Sequence, residues 1–231
     1  MQESPVAEIV PRRTQADRRE QSGRGLVQAV VDIVSERGVG AATFEAIGAR
    51  ANYSRSLVTQ RFGSKRGLID AVIQQAVERF DALLLEHTPQ DREPAALSGL
   101  DALLLSFDVY LTELTTSGEL RAYFMLLSSA VAELNELRAA FAAQHQRVKV
   151  RLADLVAKGQ ADGSIRPEID AEAAALMIGS LQLGLSMQIL VDPAMDLAPI
   201  RRVAVNTLRL SFAADGGGWE AADAGPPPTS R

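Results

Sequence analysis

Apolar side chains recur at helical spacing along almost the whole of this chain, and very little of it alternates with the period of a strand. Leu26, Val27, Val30, Val31 and Val34 form one stripe that stops at Gly38 and Gly40. Spacing of three and four residues turns one face of a helix toward a core. Thr43 and Ser54 stand where N-caps are needed, so short helices are expected over 44–51 and 55–62, with "NYS" as the turn between them. Ser64 opens a long fourth helix carrying Ile69, Val72, Ile73, Ala76, Phe80 and Leu84 on one face. Further helices fall near 94–117, 119–131, 134–160, 170–191 and 196–214, separated by the turn-rich runs "TPQDREP", "TSG", "GQADGSIRP" and "VDP". The chain therefore reads as all-α with about nine helices. A three-helix head over 23–68 precedes a bundle over 69–214. An arm at 1–22 and a Gly/Pro-rich tail at 215–231 are expected to be disordered.

Composition narrows the function classes. An apolar fraction of 47% and a charged fraction of 23% belong to a soluble globular chain. There is no cysteine, which removes disulfides, thiolate metal sites and cysteine nucleophiles. The two histidines, His87 and His145, lie far apart, and no glycine-rich phosphate loop follows a strand. Catalysis, a bound metal and a cofactor are accordingly not expected. The first 25 residues carry Arg12, Arg13, Arg18 and Arg19 and no apolar core of a secretory leader, so a cytoplasmic location is expected. The run "LMIGSLQLGLSMQILV" at 176–191 reads as a buried helix too short to span a bilayer, with no membrane partner.

Charge is unevenly placed in a chain whose net charge is −5. Through Asp70 eleven Lys/Arg oppose eight Asp/Glu, whereas the remainder holds thirteen against twenty-one. A basic head on an acidic body points to a polyanion partner for the head. Within the third expected helix, Val58 and Phe62 sit four apart and pin it to the core. Arg55, Ser56, Thr59, Gln60 and Arg61 then face outward, with no carboxylate among them. A face that enters a groove lined by phosphates has to exclude acids. Two short helices joined by a tight turn behind a supporting helix form a helix-turn-helix pattern.

The run "TFEAIGARANYSRSLVTQRFGSKRGLIDAV" (43–72) resembles the DNA-binding segment of TetR-family transcriptional regulators, through Thr43, Ile47, Ala51, Ser54, Val58, Phe62, Ser64, Lys65 and Leu68. The chain departs from the family pattern at Asn52, Tyr53, Thr59 and Arg61; Asn52 stands at the turn glycine and also tolerates positive φ. The resemblance implies base-edge contacts from Arg55, Ser56, Leu57 and Gln60, with Arg55 pairing to guanine and Leu57 touching a thymine methyl. It implies phosphate contacts from Thr43, Thr59, Arg61 and Lys65, the last at a helix start whose dipole also favours an anion.

For the body the resemblance implies a dimer and an effector cavity. A homodimer reads two half-sites of a palindromic double-stranded DNA operator. Ala175, Gly179, Leu183, Met187, Val203 and Thr207 are the expected interface, on the last two helices. Phe107, Tyr110, Met125, Phe141, Gln144, His145 and Met177 are the expected lining of the cavity, and the effector is expected to be a small, apolar molecule. The function read from the sequence is a ligand-responsive repressor. The alternative is a helical ligand-binding or interaction protein whose head does not bind DNA.

Overall fold

The computed structural model describes residues 15–89, 96–133 and 137–214. Among them are nine α-helices and one 3-10 turn, in the order α1 (Gln15–Arg37), the 3-10 turn (Val39–Ala41), α2 (Phe44–Arg50), α3 (Arg55–Phe62), α4 (Lys65–His87), α5 (Gly99–Thr116), α6 (Gly118–Ala132), α7 (Arg138–Asp162), α8 (Ala171–Val191) and α9 (Leu197–Phe212). The expected caps form: the hydroxyls of Thr43, Ser54 and Ser64 accept from the backbone N–H of Ala46, Leu57 and Gly67 at 3.1, 3.2 and 3.1 Å. Each satisfies a donor that the first helical turn leaves without a partner.

Boundaries differ from the sequence reading chiefly at the starts of α1 and α5. α1 starts at Gln15, so residues 15–22, expected in a disordered arm, are helical; residues 1–14 and 215–231 lie outside the described residues. Polar residues dominate that first stretch, and a helix already nucleated by the Leu26–Val34 stripe extends through them at little cost. α5 starts at Gly99, where the Ser98 hydroxyl caps it and the Asp162 carboxylate accepts from Gly99 N–H at 2.8 Å. α8 matches its expected span of 170–191, but where the apolar window at 176–191 read as too short to cross a bilayer, its 21 residues are long and apolar enough by length and composition alone.

One buried cluster runs from head to body. Leu26, Val30, Val34, Ile47 and Val58 close the head, and Leu68, Ile69, Val72 and Ile73 on α4 continue it. α1 also packs along α6, so the head rests on the body over more than its connecting helix. In the body α5 is central, with α7, α8 and α9 packed around it. The guanidinium of Arg201 on α9 forms a bidentate pair with Asp108 on α5, both contacts at 2.5 Å. Phe107 is fully buried in the middle of α5. Phe107→Ala removes a large side chain that has no room to be replaced by collapse, so a loss of about 3–5 kcal/mol is expected in urea unfolding.

Candidate nucleic-acid interface

The turn between α2 and α3 is built on two close approaches. Asn52 adopts φ 59°, the left-handed conformation its short polar side chain tolerates. The chain then folds back so that Tyr53 N–H donates to the Gly48 carbonyl at 2.7 Å. A Cβ on Gly48 would stand 2.7 Å from the Tyr53 carbonyl oxygen, and one on Gly67 would stand 2.1 Å from that of Phe62. These two glycines hold both ends of α3 against its neighbours. The sequence reading passed over them. Their signal was glycine inside two helices, where it costs about 1 kcal/mol against alanine unless packing requires it.

Val58 is fully buried and Phe62 packs against the core, as the spacing predicts. Arg55, Ser56, Thr59, Gln60 and Arg61 are exposed on the other side, Leu57 is partly exposed beside them, and Thr43 and Lys65 are exposed at the starts of α2 and α4. All eight expected residues therefore lie at the surface around α3.

Hydrogen bonds and ion pairs then separate them. Arg50 donates to Glu36 at 2.6 and 3.0 Å and to Asp32 at 3.3 Å, tying α2 to α1. Arg66 donates to both carboxylate oxygens of Asp70 at 3.0 Å. Arg55, Arg61 and Lys65 make no ion pair among the described residues, which leaves them as the cations of this face. Two of the expected phosphate contacts are turned toward protein. The Thr59 hydroxyl donates to the Arg55 carbonyl at 3.0 Å, a back-bond common for threonine within a helix. The Arg61 guanidinium lies over Gly23 on α1, where a Cβ would come within 2.7 Å of it.

The body contains a cavity of about 360 Å³. Of the expected lining, Tyr110, Gln144 and His145 reach it. Phe107 and Phe141 are instead sealed in the core, Met125 packs against that core, and Met177 is 51% exposed on the outer side of α8. Lining residues that the sequence reading missed include Ile73, Ala76, Val77 and Phe80, all from α4. The Tyr110 hydroxyl is buried and bonded to Ser186 and to the Gln182 carbonyl; burial pushes its pKa upward against the lowering by Ser186. His145 is partly buried and burial pushes its pKa down.

The expected dimer residues fall into two groups. Ala175, Gly179 and Leu183 line the cavity, and Met187 accepts from the Ser128 hydroxyl. Val203 and Thr207 are exposed. Exposed apolar residues on these two helices include Leu176, Met177, Leu181 and Val191 on α8 and Val203 and Leu210 on α9; Leu176, at the cavity rim, and Val203 are 61% and 67% exposed.

The Arg50 hydrogen bond holds the Glu36 carboxyl below its usual value. A depressed carboxyl stabilises the fold above its ordinary pKa and ceases to as pH falls. Arg50→Gln is therefore expected to lower Tm at neutral pH, with the gap to the parent closing as pH drops below the ordinary carboxyl value of 4.5. A gap that persists in acid would assign Arg50 some other role.

Two family models match. Bacterial regulatory proteins, tetR family, matches residues 26–72, and BetI-type transcriptional repressor, C-terminal, matches residues 100–212. An HTH-type transcriptional repressor of Mycobacterium tuberculosis is 32% identical over 80 residues, 35% of this chain and 43% of that protein. The chain thus spans less than half the length of the curated relatives it matches. A solved TetR-family transcriptional regulator from Rhodococcus sp. is similar with a TM-score of 0.68 at 21% identity, over 82% of this chain and 97% of that one. A transcriptional regulator from Saccharomonospora viridis in complex with choline gives 0.65 at 20% identity, over 84% and 98%. At these identities the two structures bear on the fold.

Proposed function

Because this chain belongs to the TetR family of bacterial regulatory proteins, a family of DNA-binding transcriptional regulators, we propose that it is a repressor that grips a palindromic operator as a homodimer and releases it when a small molecule fills the body cavity. The observation that carries this reading is the course of α4. Its first residue, Lys65, stands beside the recognition helix α3, and three turns on Ile73, Ala76, Val77 and Phe80 form a wall of the cavity. α6 supplies a second wall through Leu120, Tyr123 and Phe124, and packs against α1 in the head. A ligand that prefers one position of these walls biases the position of the head by no more than that difference in affinity.

On the DNA side, Arg55 and Gln60 are the residues placed to read base edges, while Lys65 and the Thr43 hydroxyl hold phosphates. Arg61 is free of carboxylates and swings from Gly23 to a phosphate in this reading. The exposed apolar residues of α8 and α9 form the dimer contact in this reading, since large aliphatic side chains left in solvent gain by burial against a second copy. For a cation such as choline, the ligand of the Saccharomonospora viridis protein, the described lining offers the rings of Phe80, Tyr110, Tyr123 and Phe124 but no Asp or Glu, and it carries three cations of its own.

Four measurements test the reading. Selection of sites from random DNA should return a palindrome. Arg55→Ala should then relax preference at one position of each half-site, at a cost of about 1–3 kcal/mol. Lys65→Ala should weaken binding to all sequences alike and lower the salt slope by about one. Val203→Glu should convert a species of twice 24.8 kDa into a folded monomer in light scattering. Failure to bind any selected oligonucleotide at low salt would favour a ligand-binding protein with a silent head.

A further inference from the structure

The cavity lining is charged with one sign. Among the described residues that line it are Arg147, Lys149 and Arg151, and neither Asp nor Glu. Two of these cations already face acids that lie outside the lining. Lys149 Nζ is 2.5 Å from Glu172. Arg151 Nη1 is 2.6 Å from Asp81, and its guanidinium sits over the Phe80 ring, 5.7 Å from the centroid. Arg147 makes no ion pair among the described residues. Its Nε donates to Gln144 Oε1 at 2.9 Å, and Gln144 is itself buried.

That one hydrogen bond has a geometric consequence. A buried acceptor at Nε restricts the plane of the guanidinium and leaves its two terminal nitrogens without a protein carboxylate. Such a fork matches a carboxylate, which takes two parallel N–H bonds from it. Arg147 is exposed, so the fork stands where the cavity meets solvent. Behind it Val77, Leu120, Phe124 and Leu152 supply apolar walls, which favour a body with few polar groups. Tyr110 is occupied by Ser186 and Gln182 and offers little to a polar ligand deep inside.

Resting on the effector reading above, we infer that the effector is an amphipathic carboxylate, with its apolar body inside the cavity and its acid group on Arg147. The sequence reading had pointed to an apolar effector; the unpaired guanidinium adds a charged end and supplies its sign. A cationic headgroup meets the wrong field here, because no acid of the lining offsets Arg147.

Calorimetric titration of the full chain with three probes tests this: decanoate, decanol and decyltrimethylammonium, which share one tail and differ in the charge of the head. Decanoate is expected to bind about tenfold more tightly than decanol, as for a charge-assisted hydrogen-bonded pair, and decyltrimethylammonium most weakly. The advantage of decanoate should shrink with added salt. Arg147→Gln should bring decanoate to the affinity of decanol and leave decanol unchanged, with an unaltered thermal melt showing an intact fold. Arg121→Gln, at an exposed arginine of α6 outside the lining, should change none of the three. The inference is overturned if the ammonium probe matches or exceeds decanoate, if the decanoate preference survives Arg147→Gln, or if no probe binds. A parallel operator titration separates it from the reading beneath it. Decanoate bound through Arg147 without any change in DNA affinity keeps the ligand class and removes the coupling to the head.

Discussion

Burial of one face of α4 is the contact on which both halves of the molecule lean. Leu68, Ile69, Val72 and Ile73 are almost fully removed from solvent, each contributing about 1.5–3 kcal/mol. The first two of these close the head beside Val58 and Ile47, and the last also walls the cavity. An α-helix rises 1.5 Å per residue, so Lys65 and Phe80 are separated by roughly 22 Å along one stiff rod. A wall of the cavity and the edge of the DNA-facing surface therefore belong to the same rigid element. The packing of α6 on α1 adds a second seam, so the head is held at two places rather than hinged at one.

A second theme is the sorting of cations by their partners. The head carries Arg50, Arg55, Arg61, Lys65 and Arg66 within a short run, yet Arg50 and Arg66 are tied to Glu36, Asp32 and Asp70. What remains outward is Arg55 and Lys65, with Arg61 laid along α1. The cavity repeats the pattern, with Lys149 and Arg151 paired and Arg147 free of acids. An exposed ion pair adds little to stability, but it does determine which charges are left for a partner. In both places the distribution of acids, more than the number of bases, defines the surface.

Much of the head was legible because its determinants are local. The caps at Thr43, Ser54 and Ser64, the turn at Asn52 and the anchor at Val58 all depend on a few neighbours in the chain. The roles of Thr59 and Arg61 were less legible, because each depends on surroundings the pattern does not show: a carbonyl one turn back that Thr59 bonds, and the space left by Gly23 on another helix, over which Arg61 lies. In the body the aromatic residues Phe107 and Phe141 looked equally suited to core or cavity. Composition cannot tell those two environments apart, since both are apolar.

Sequence alone determined the helices, their caps and the acid-free face of α3, since periodicity and capping act within a turn or two of the chain. Tertiary structure decided how α8 is rotated. That helix is apolar nearly all round, so it has no polar side to point at water and no preferred orientation of its own. Ser186 fixes the choice by turning its hydroxyl inward to Tyr110 on α5, which also bonds the Gln182 backbone carbonyl, because a buried hydroxyl has to be hydrogen-bonded. Ala175, Gly179 and Leu183 then line the cavity, Leu176 stands at its solvent-exposed rim, and Met177 and Leu181 are left facing out.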